Sequence, residues 1–414
     1  MMKVALVSTF DTVGGAAKAT VRLHQGLLNM NVNSQILVQK KGSDDPNVIG
    51  PSSISDSLRT YIAPRLESYT LSSYPDRDSY IFSPGRFGSF NAKKYLSEYD
   101  IFNIHWVGGG FQSINSIASI TKPIVLTLHD SWAFTGGCHI PYPCEKFKSK
   151  CGSCIKLNST NDYDLSFKMW TRKYELFKKK NIVLVGDGNW VAENAKQSAI
   201  FNDHRVEVIH PGLDLNVFKP LNKKYCRSIL GVDENTRLVL FGAVGANADK
   251  NKGFQFLKPA LEKFAHDNAG KQNIKLIVFG SSSNHEDLCG ISTNYVGKIN
   301  DELLLTILYS AADVMVVPSV IESFGQTGSE SFACGTPVVA FRTSGLKDIV
   351  DHQLNGFLAD PYDYNDLAAG ITWVLEDTDR LSILGQAARK KAVEKFGIDK
   401  YVNDYISLYE SLII

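Results

Sequence analysis

Two carboxylates, Glu322 and Glu330, bracket the segment Glu-Ser-Phe-Gly-Gln-Thr-Gly-Ser-Glu, and a lysine, Lys252, closes a glycine-containing turn earlier in the chain. Carboxylates are poor phosphate ligands but good acceptors for vicinal hydroxyls. Backbone N–H groups at a helix start, here around Ser323, Phe324, Gly325, Gln326 and Thr327, favour an anion. A ligand satisfying both carries hydroxylated rings at either end of a phosphate group. Lys252 adds a positive charge that would neutralise a departing phosphate, a charge that grows in a transition state; Lys250, two residues before it, is a second candidate. The plainer reading makes Glu322 a loop acid, Glu330 an exposed helix residue and both lysines solvated.

Three further candidate pairs share one habit: each follows an apolar strand-like run. Gly14-Gly15 follows Lys3–Ser8 and opens a helical pattern, although any tight strand-to-helix turn favours glycine. His105-Trp106 ends the run from Ile101, ahead of Gly108-Gly-Gly110, and His129-Asp130 ends the run from Ile124. A histidine at the carboxyl edge of a parallel sheet lies where such sheets bind ligands; a buried structural ring is the competing reading. Cys138, Cys144, Cys151 and Cys154 crowd one loop. Four thiolates can hold a structural zinc that staples irregular chain, with reduced thiols and disulfides as rivals. The triplets Asp76-Arg-Asp78 and Asp162-Tyr-Asp164 follow no apolar strand and read as loop acids.

The elements that must position these residues alternate between strand and helix from end to end, which argues for parallel sheets with right-handed crossovers. Expected strands are 3–8, 34–38, 101–106, 124–129, 182–186 and 206–210, then 238–242, 274–280, 294–297, 314–318 and 337–341. The run Asp313-Val-Met-Val-Val-Pro precedes Glu322, and the helix from Gln326 to Cys334 is ended by Gly335 and Pro337. A chain of 414 residues suits two domains. The fold class is therefore α/β with two doubly wound, Rossmann-like domains, 1–212 and 213–397, joined at His210–Phe218. The last helix, about 398–414, shows Tyr401, Tyr405, Leu408 and Leu412 at three- and four-residue steps, a docking face.

Composition narrows the class. The hydrophobic fraction of 44% and charged fraction of 21% are those of a globular protein, and no run approaches the ~18 apolar residues of a membrane span. Free-looking Cys226, Cys289 and Cys334 fit a reducing cytoplasm, and no leader segment is legible at the start. Residues 1–215 hold 24 Lys/Arg against 19 Asp/Glu, whereas residues 216–414 hold 20 against 24. The excess gathers in Lys146–Lys150, Arg172-Lys173 and Lys178–Lys180, a face that could touch an anionic membrane or acidic glycolipid, or simply be solvated. No basic domain or recognised nucleic-acid module is legible, which argues against nucleic acid as a partner.

The Glu322–Glu330 motif and its setting resemble the retaining glycosyltransferases of family 4, and the further matches extend over most of the chain. The resemblance implies the GT-B fold, with two domains facing a central cleft and the last helix crossing back to the first. It implies an acceptor-binding first domain and a donor-binding second one, with catalysis that requires no cofactor or metal. On this resemblance Glu322 contacts the donor sugar, Glu330 the ribose, Lys252 the diphosphate, and Gly14-Gly15 the donor phosphates. His129 contacts the transferred sugar near its anomeric centre, Asp130 orients the loop, and His105-Trp106 line the acceptor site. Gly297-Lys298 occupy the base-contacting segment, and Thr343-Ser-Gly345 a loop over the diphosphate or sugar.

Two departures stand out. The family's N-G-x-D-x-x-x-F hinge has Pro211 in place of Asn, and the usual Arg is missing between Gly242 and Lys252. A subset active in exopolysaccharide and capsule assembly carries a similar Ser-Trp-Ala-Phe-Thr-Gly-Gly-Cys-His segment. The implied reaction moves a sugar from a UDP- or GDP-sugar to a glycan or lipid-linked hydroxyl, in the cytoplasm or at the inner membrane face. Alternatives are a silent sugar-nucleotide sensor or scaffold and a sugar-nucleotide epimerase on a related fold.

Overall fold

The computed structural model describes residues 2–78, 81–242, 249–270, 273–280 and 287–413. They divide into two compact units, Met1–Gly212 with Asp399–Ile414 and Leu213–Ile398. Each unit is built on one parallel sheet, as the alternation of apolar runs predicts.

In the first unit the strands are β1 (Lys3–Phe10), β2 (Asn33–Lys40), β3 (Val48–Ile49), β4 (Ile101–Ile104), β5 (Ile124–Leu128), β6 (Ile182–Gly186) and β7 (Val206–Val208). Their order is β3-β2-β1-β4-β5-β6-β7, with Val4 opposite Ile101 where the sheet changes direction. The central strands β4, β5 and β6 are wholly buried, because helices cover both faces of the sheet. The second unit repeats the plan with β8 (Arg237–Gly242), β9 (Ile274–Phe279), β10 (Ser292–Tyr295), β11 (Val314–Val317), β12 (Val338–Phe341) and β13 (Gly356–Ala359). Its order is β10-β9-β8-β11-β12-β13. Both orders reverse beside the first strand, so each unit has one topological switch point, between β1 and β4 or between β8 and β11.

The strand starts of the second unit are tied at the amino edge. The buried Asp313 accepts from Leu238 N (2.7 Å), from Arg227 Nη2 (2.7 Å) and from Lys223 Nζ (2.6 Å). These structural charges lie at the edge opposite the strand ends where ligands bind, which leaves the carboxyl edge for chemistry.

The last helix, Ile398–Ile413, buries Tyr401, Tyr405, Leu408 and Tyr409 in the first unit. Their phenols find partners among its strands and first helix: Asn103 Nδ2 donates to Tyr409 (2.7 Å), Thr127 and Tyr405 share a hydrogen bond (2.9 Å), and Tyr401 donates to Ala19 O (3.4 Å). Buried tyrosines keep their hydroxyls paired, and each net hydrogen bond is worth about 1 kcal/mol.

The helix Ile54–Thr70 and the strands β3 and β13 are absent from the sequence reading. The helix starts at Ser53, whose hydroxyl accepts from Asp56 N (3.1 Å), and it carries Pro64 inside. Its buried face is small and polar, so apolar periodicity gives no pointer to which side meets the protein. The strands His105-Trp106, His129 and Pro318 were expected to include stop short of them, and all four residues lie just past a strand end.

Candidate functional site

In the second unit the switch point lies between the ends of β8 and β11, and loops from both strands meet there. After β8, a short 3-10 turn Lys250–Lys252 is followed by Gly253 in the left-handed region at φ +73°. A Cβ on Gly253 would sit 1.8 Å from Pro318 O, so only glycine lets this turn lie against the β11 loop. Asn251 binds the two loops together. Its Nδ2 donates to Ile321 O (2.7 Å), its Oδ1 accepts from Ile321 N (3.2 Å), and its carbonyl accepts from Val320 N (2.8 Å).

That staple sets Lys252 Nζ 2.8 Å from Glu322 Oε1, with both side chains partly exposed. Ser319 Oγ donates to the same oxygen at 2.9 Å. The Glu322 charge, offset by burial, raises the Lys252 ammonium above its ordinary pKa. The Glu322 backbone is clasped in turn: its N–H donates to Ser344 Oγ (2.9 Å) and its carbonyl accepts from Gly345 N (2.9 Å). Gly345 is another close approach, since a Cβ there would lie 2.1 Å from Ser323 O.

The helix Gln326–Ala333 begins at Gly325, left-handed at φ +99°, with no side-chain cap, so its amino terminus is framed by backbone alone. Glu330 is not the exposed helix residue of the plainer reading. It is 3% exposed, and its Oε2 accepts from Tyr309 Oη at 3.0 Å. Behind it the Cys334 thiol is pushed up to about 12 by burial and by the Glu330 charge. Phe324 turns its ring into the core against Phe396, which leaves only its main chain for a ligand. Lys250 is exposed and contributes its carbonyl to Gln255 Nε2 (2.8 Å), so of the two lysines it is Lys252 that meets Glu322. Gly297, at φ +67°, accepts through its carbonyl from Gly280 N (2.7 Å), joining the ends of β9 and β10, and Lys298 beside it is exposed. Residues 243–248 of the glycine-rich turn, where the missing Arg was sought, lie outside the described residues.

The first unit gathers its candidates at its own switch point. Thr9, near the end of β1, donates its N–H to Trp106 O (2.8 Å) and its hydroxyl to Gly108 O (3.1 Å). Trp106 stacks on Phe10 at 6.2 Å. Gly14 starts the helix Gly14–Asn29 at φ +88° with open space beyond its Cα and no side-chain cap ahead of it.

His129 does not point an unoccupied nitrogen at a ligand. Its Nδ1 meets Asp187 Oδ2 at 3.2 Å and its Nε2 meets His105 Nδ1 at 2.9 Å, while the two rings stack. With Asp187 as a carboxylate, His129 Nδ1–H donates to it and Nε2 accepts from His105 Nδ1–H. The last atom of this relay, His105 Nε2, is buried with no hydrogen-bond partner among the described residues. Burial, reinforced by His129, holds His105 well below the usual histidine pKa, and burial raises Asp187. Asp187 escaped the sequence reading, although it follows Gly186 at the end of β6, the same edge that drew attention to His129.

Asp130 orients its loop: Oδ1 accepts from Trp132 N (2.8 Å) and Oδ2 from His139 (2.6 Å), whose other nitrogen meets Ser83 Oγ (2.9 Å). Burial pushes the Asp130 carboxyl up, but His139, the Trp132 N–H and His129 together outweigh it and the net shift is downward. Nearby, Lys173 is fully buried, donates to Trp132 O and to Thr135 O (3.0 Å), and lies over the Trp132 ring at 3.8 Å. Burial lowers it to about 7.

Lys173 therefore leaves the basic face inferred from sequence. The rest of that face is partly spent as well, since Lys146 donates to Gly152 O (2.8 Å), Lys178 pairs with Asp203 (2.6 Å) and Lys180 donates to Ile120 O (2.5 Å). Cys138, Cys144, Cys151 and Cys154 are free thiols, and burial plus neighbouring thiols push Cys138 up to about 12. Cys138, Cys144 and Cys154 all act on the Cys151 thiol, so the four share one neighbourhood, although among the described residues no three His, Cys, Asp or Glu side chains are grouped to hold a metal.

The family model "Glycosyl transferases group 1" matches residues 226–391, the segment carrying Lys252, Tyr309, Glu322 and Glu330. An uncharacterized glycosyltransferase of Methanocaldococcus jannaschii is 29% identical over 318 residues, covering 71% of this chain and 77% of that one. A D-inositol 3-phosphate glycosyltransferase of Thermobispora bispora is 33% identical over 205 residues; the match spans 47% of each, about half of that relative's length. Among solved structures, the Anabaena protein HepE in complex with UDP-glucose superimposes with a TM-score of 0.68 at 17% identity, covering 100% of both chains. The fold is thus that of the GT-B glycosyltransferases, two Rossmann-like α/β domains, as the sequence implied.

Proposed function

We propose that this chain, whose residues 226–391 belong to the glycosyl transferases group 1, is a retaining hexosyltransferase. It moves a sugar from a nucleoside-diphosphate sugar to the hydroxyl of a glycan or lipid-linked acceptor in cell-surface polysaccharide assembly. The observation that carries this reading is the Lys252–Glu322 pair at the carboxyl edge of the second sheet, at its switch point. One member suits the diphosphate and the other the sugar hydroxyls, and the uncapped helix start at Gly325 lies between Glu322 and Glu330.

In this mechanism the second unit binds the donor. Glu330, oriented by Tyr309, takes the ribose hydroxyls, and Gly297-Lys298 flank the base. Lys252 leaves Glu322 for the diphosphate as negative charge develops on the leaving group, which frees the Glu322 carboxylate for the sugar. The first unit serves the acceptor through His105 and Trp106, while Gly14-Gly15 are assigned to the donor phosphates and His129 to the transferred sugar. The ring nitrogens of His129 are committed to Asp187 and His105, so its contribution is through its backbone or its ring face. Catalysis draws on protein groups, and a chelator should leave the rate unchanged. The UDP-glucose held by HepE makes UDP-sugars the first donors to test.

Thermal-shift screening against UDP-, GDP- and ADP-sugars, followed by donor hydrolysis and transfer assays, tests the reading. Stabilisation by one nucleotide class and slow cleavage of its sugar are expected. Binding without cleavage in any acceptor mixture would point to a sensor, and no binding at all would end the proposal.

A further inference from the structure

The helix Ile54–Thr70 is mounted with its apolar side outward. Ile54, Leu58, Tyr61, Ile62, Leu66 and Tyr69 recur at three- and four-residue steps, and their exposure runs from 38% at Leu66 to 90% at Ile54. The opposite side, facing the protein, carries the buried Ala63 and Glu67. Glu67 is committed there, accepting from Gly85 N (3.0 Å) and Phe87 N. An ordinary surface helix has the reverse arrangement, with its apolar stripe against the core. A contiguous apolar face of this kind on a folded protein marks an interaction surface.

The charges on and beside the stripe indicate what covers it. Arg59 and Arg65 are exposed on the helix, and the Arg65 guanidinium lies over the Tyr61 ring at 3.4 Å. Neither acid of the helix is available to oppose them: Glu67 is buried, and Asp56 is paired with Lys94 at 3.1 Å. The neighbouring segment held by Glu67 adds the exposed Ile81 and Arg86. An apolar stripe with tyrosines and with cations only on its exposed side has the pattern of a helix lying in the plane of an anionic bilayer. In that setting the aliphatic side chains enter the acyl boundary, and arginines reach the phosphates. The 17 residues give a contact about 25 Å long.

We propose that this helix docks the protein on an anionic membrane surface. The proposed function shares with it only the idea of a membrane-borne acceptor. Vesicle binding is read without donor or turnover, so either reading can fail alone. The full chain would be sedimented with vesicles of equal parts phosphatidylglycerol and phosphatidylcholine, and with phosphatidylcholine alone. Binding at least about 10-fold stronger to the anionic vesicles, and weakened by salt, is expected.

The triple variant Leu58→Ser/Ile62→Ser/Leu66→Ser should lose that binding by about 10-fold or more, because three buried side chains leave the bilayer. Arg59→Glu/Arg65→Glu should abolish the lipid selectivity. All five residues are exposed, so the melting temperature serves as a control for folding. Wild-type protein that ignores anionic vesicles, or a triple variant that binds like wild type, would overturn the proposal. So would light scattering that shows a dimer dissolved by the triple substitution, which would make the face a contact between two copies.

Discussion

Replacing Glu322 with Gln should separate nucleotide affinity from turnover. At 2.8 Å, the Lys252–Glu322 pair is a charge-assisted hydrogen bond between side chains that are 28% and 20% exposed. Coulomb attraction at an effective dielectric of about 20 would be about 4 kcal/mol at 4 Å, and desolvation, entropy and solvent screening at this exposure cut the net worth to about 1–2 kcal/mol. A nucleoside diphosphate must draw Lys252 away from that partner. Gln keeps the shape and removes the charge, so UDP binding should tighten by roughly 5- to 30-fold. Turnover should fall by about 100-fold, since the neutral amide is a weaker hydroxyl acceptor and the switch of partners is lost. Lys252→Met should do the reverse to affinity and weaken UDP by about 10-fold or more. Titration calorimetry on both single variants and the double completes a cycle, in which coupling of about 0.5–3 kcal/mol is expected between contacting groups. Glu322→Gln that binds UDP no more tightly than wild type, or single effects that simply add, would refute the idea that the pair competes with the diphosphate.

Three further outcomes follow from the geometry. Tyr309→Phe and Glu330→Ala should weaken UMP and UDP by equal factors, of about 3- to 10-fold for the first, whereas Lys252→Met should spare UMP; calorimetry with both nucleotides separates the ribose from the diphosphate. Gly253→Ala, whose Cβ would meet Pro318 O at 1.8 Å, should cost about 2–3 kcal/mol, lower the melting temperature by several degrees and abolish UDP binding. Lys173 titrates near 7 in the fold and about 10.4 when unfolded, so above pH 7 the unfolded chain binds the extra proton and stability rises with pH. Urea unfolding should show about 2.3 kcal/mol gained between pH 7 and 9 from this group, a slope that Lys173→Met removes.

Much of the frame was legible because parallel strands buried on both faces read as plain Val, Ile and Leu runs, and because their carboxyl ends are where ligands bind. That rule led to Lys252, Glu322, His129 and His105. It did not reveal Asp187, Asn251 or Tyr309, whose importance comes from pairing across residues far apart in the chain. Glu330 shows the limit of local spacing: position in a helix gives its angular direction, but Tyr309, which draws the carboxylate inward, arrives from another helix. The helix Ile54–Thr70 escaped because its periodicity answers to what lies outside the chain.

The tyrosine face of Ile398–Ile413 has a consequence for biosynthesis. Phenols that complete the first unit are the last part of it to leave the ribosome, after the whole of Leu213–Ile398 has emerged. The first sheet must therefore wait, with Asn103 and Thr127 bonded to each other but lacking their phenol partners, while the second unit is free to form as soon as its own strands are out. Order of emergence and order of completion are inverted, and a chain cut short before Tyr401 would be expected to leave a finished second unit and an unfinished first one.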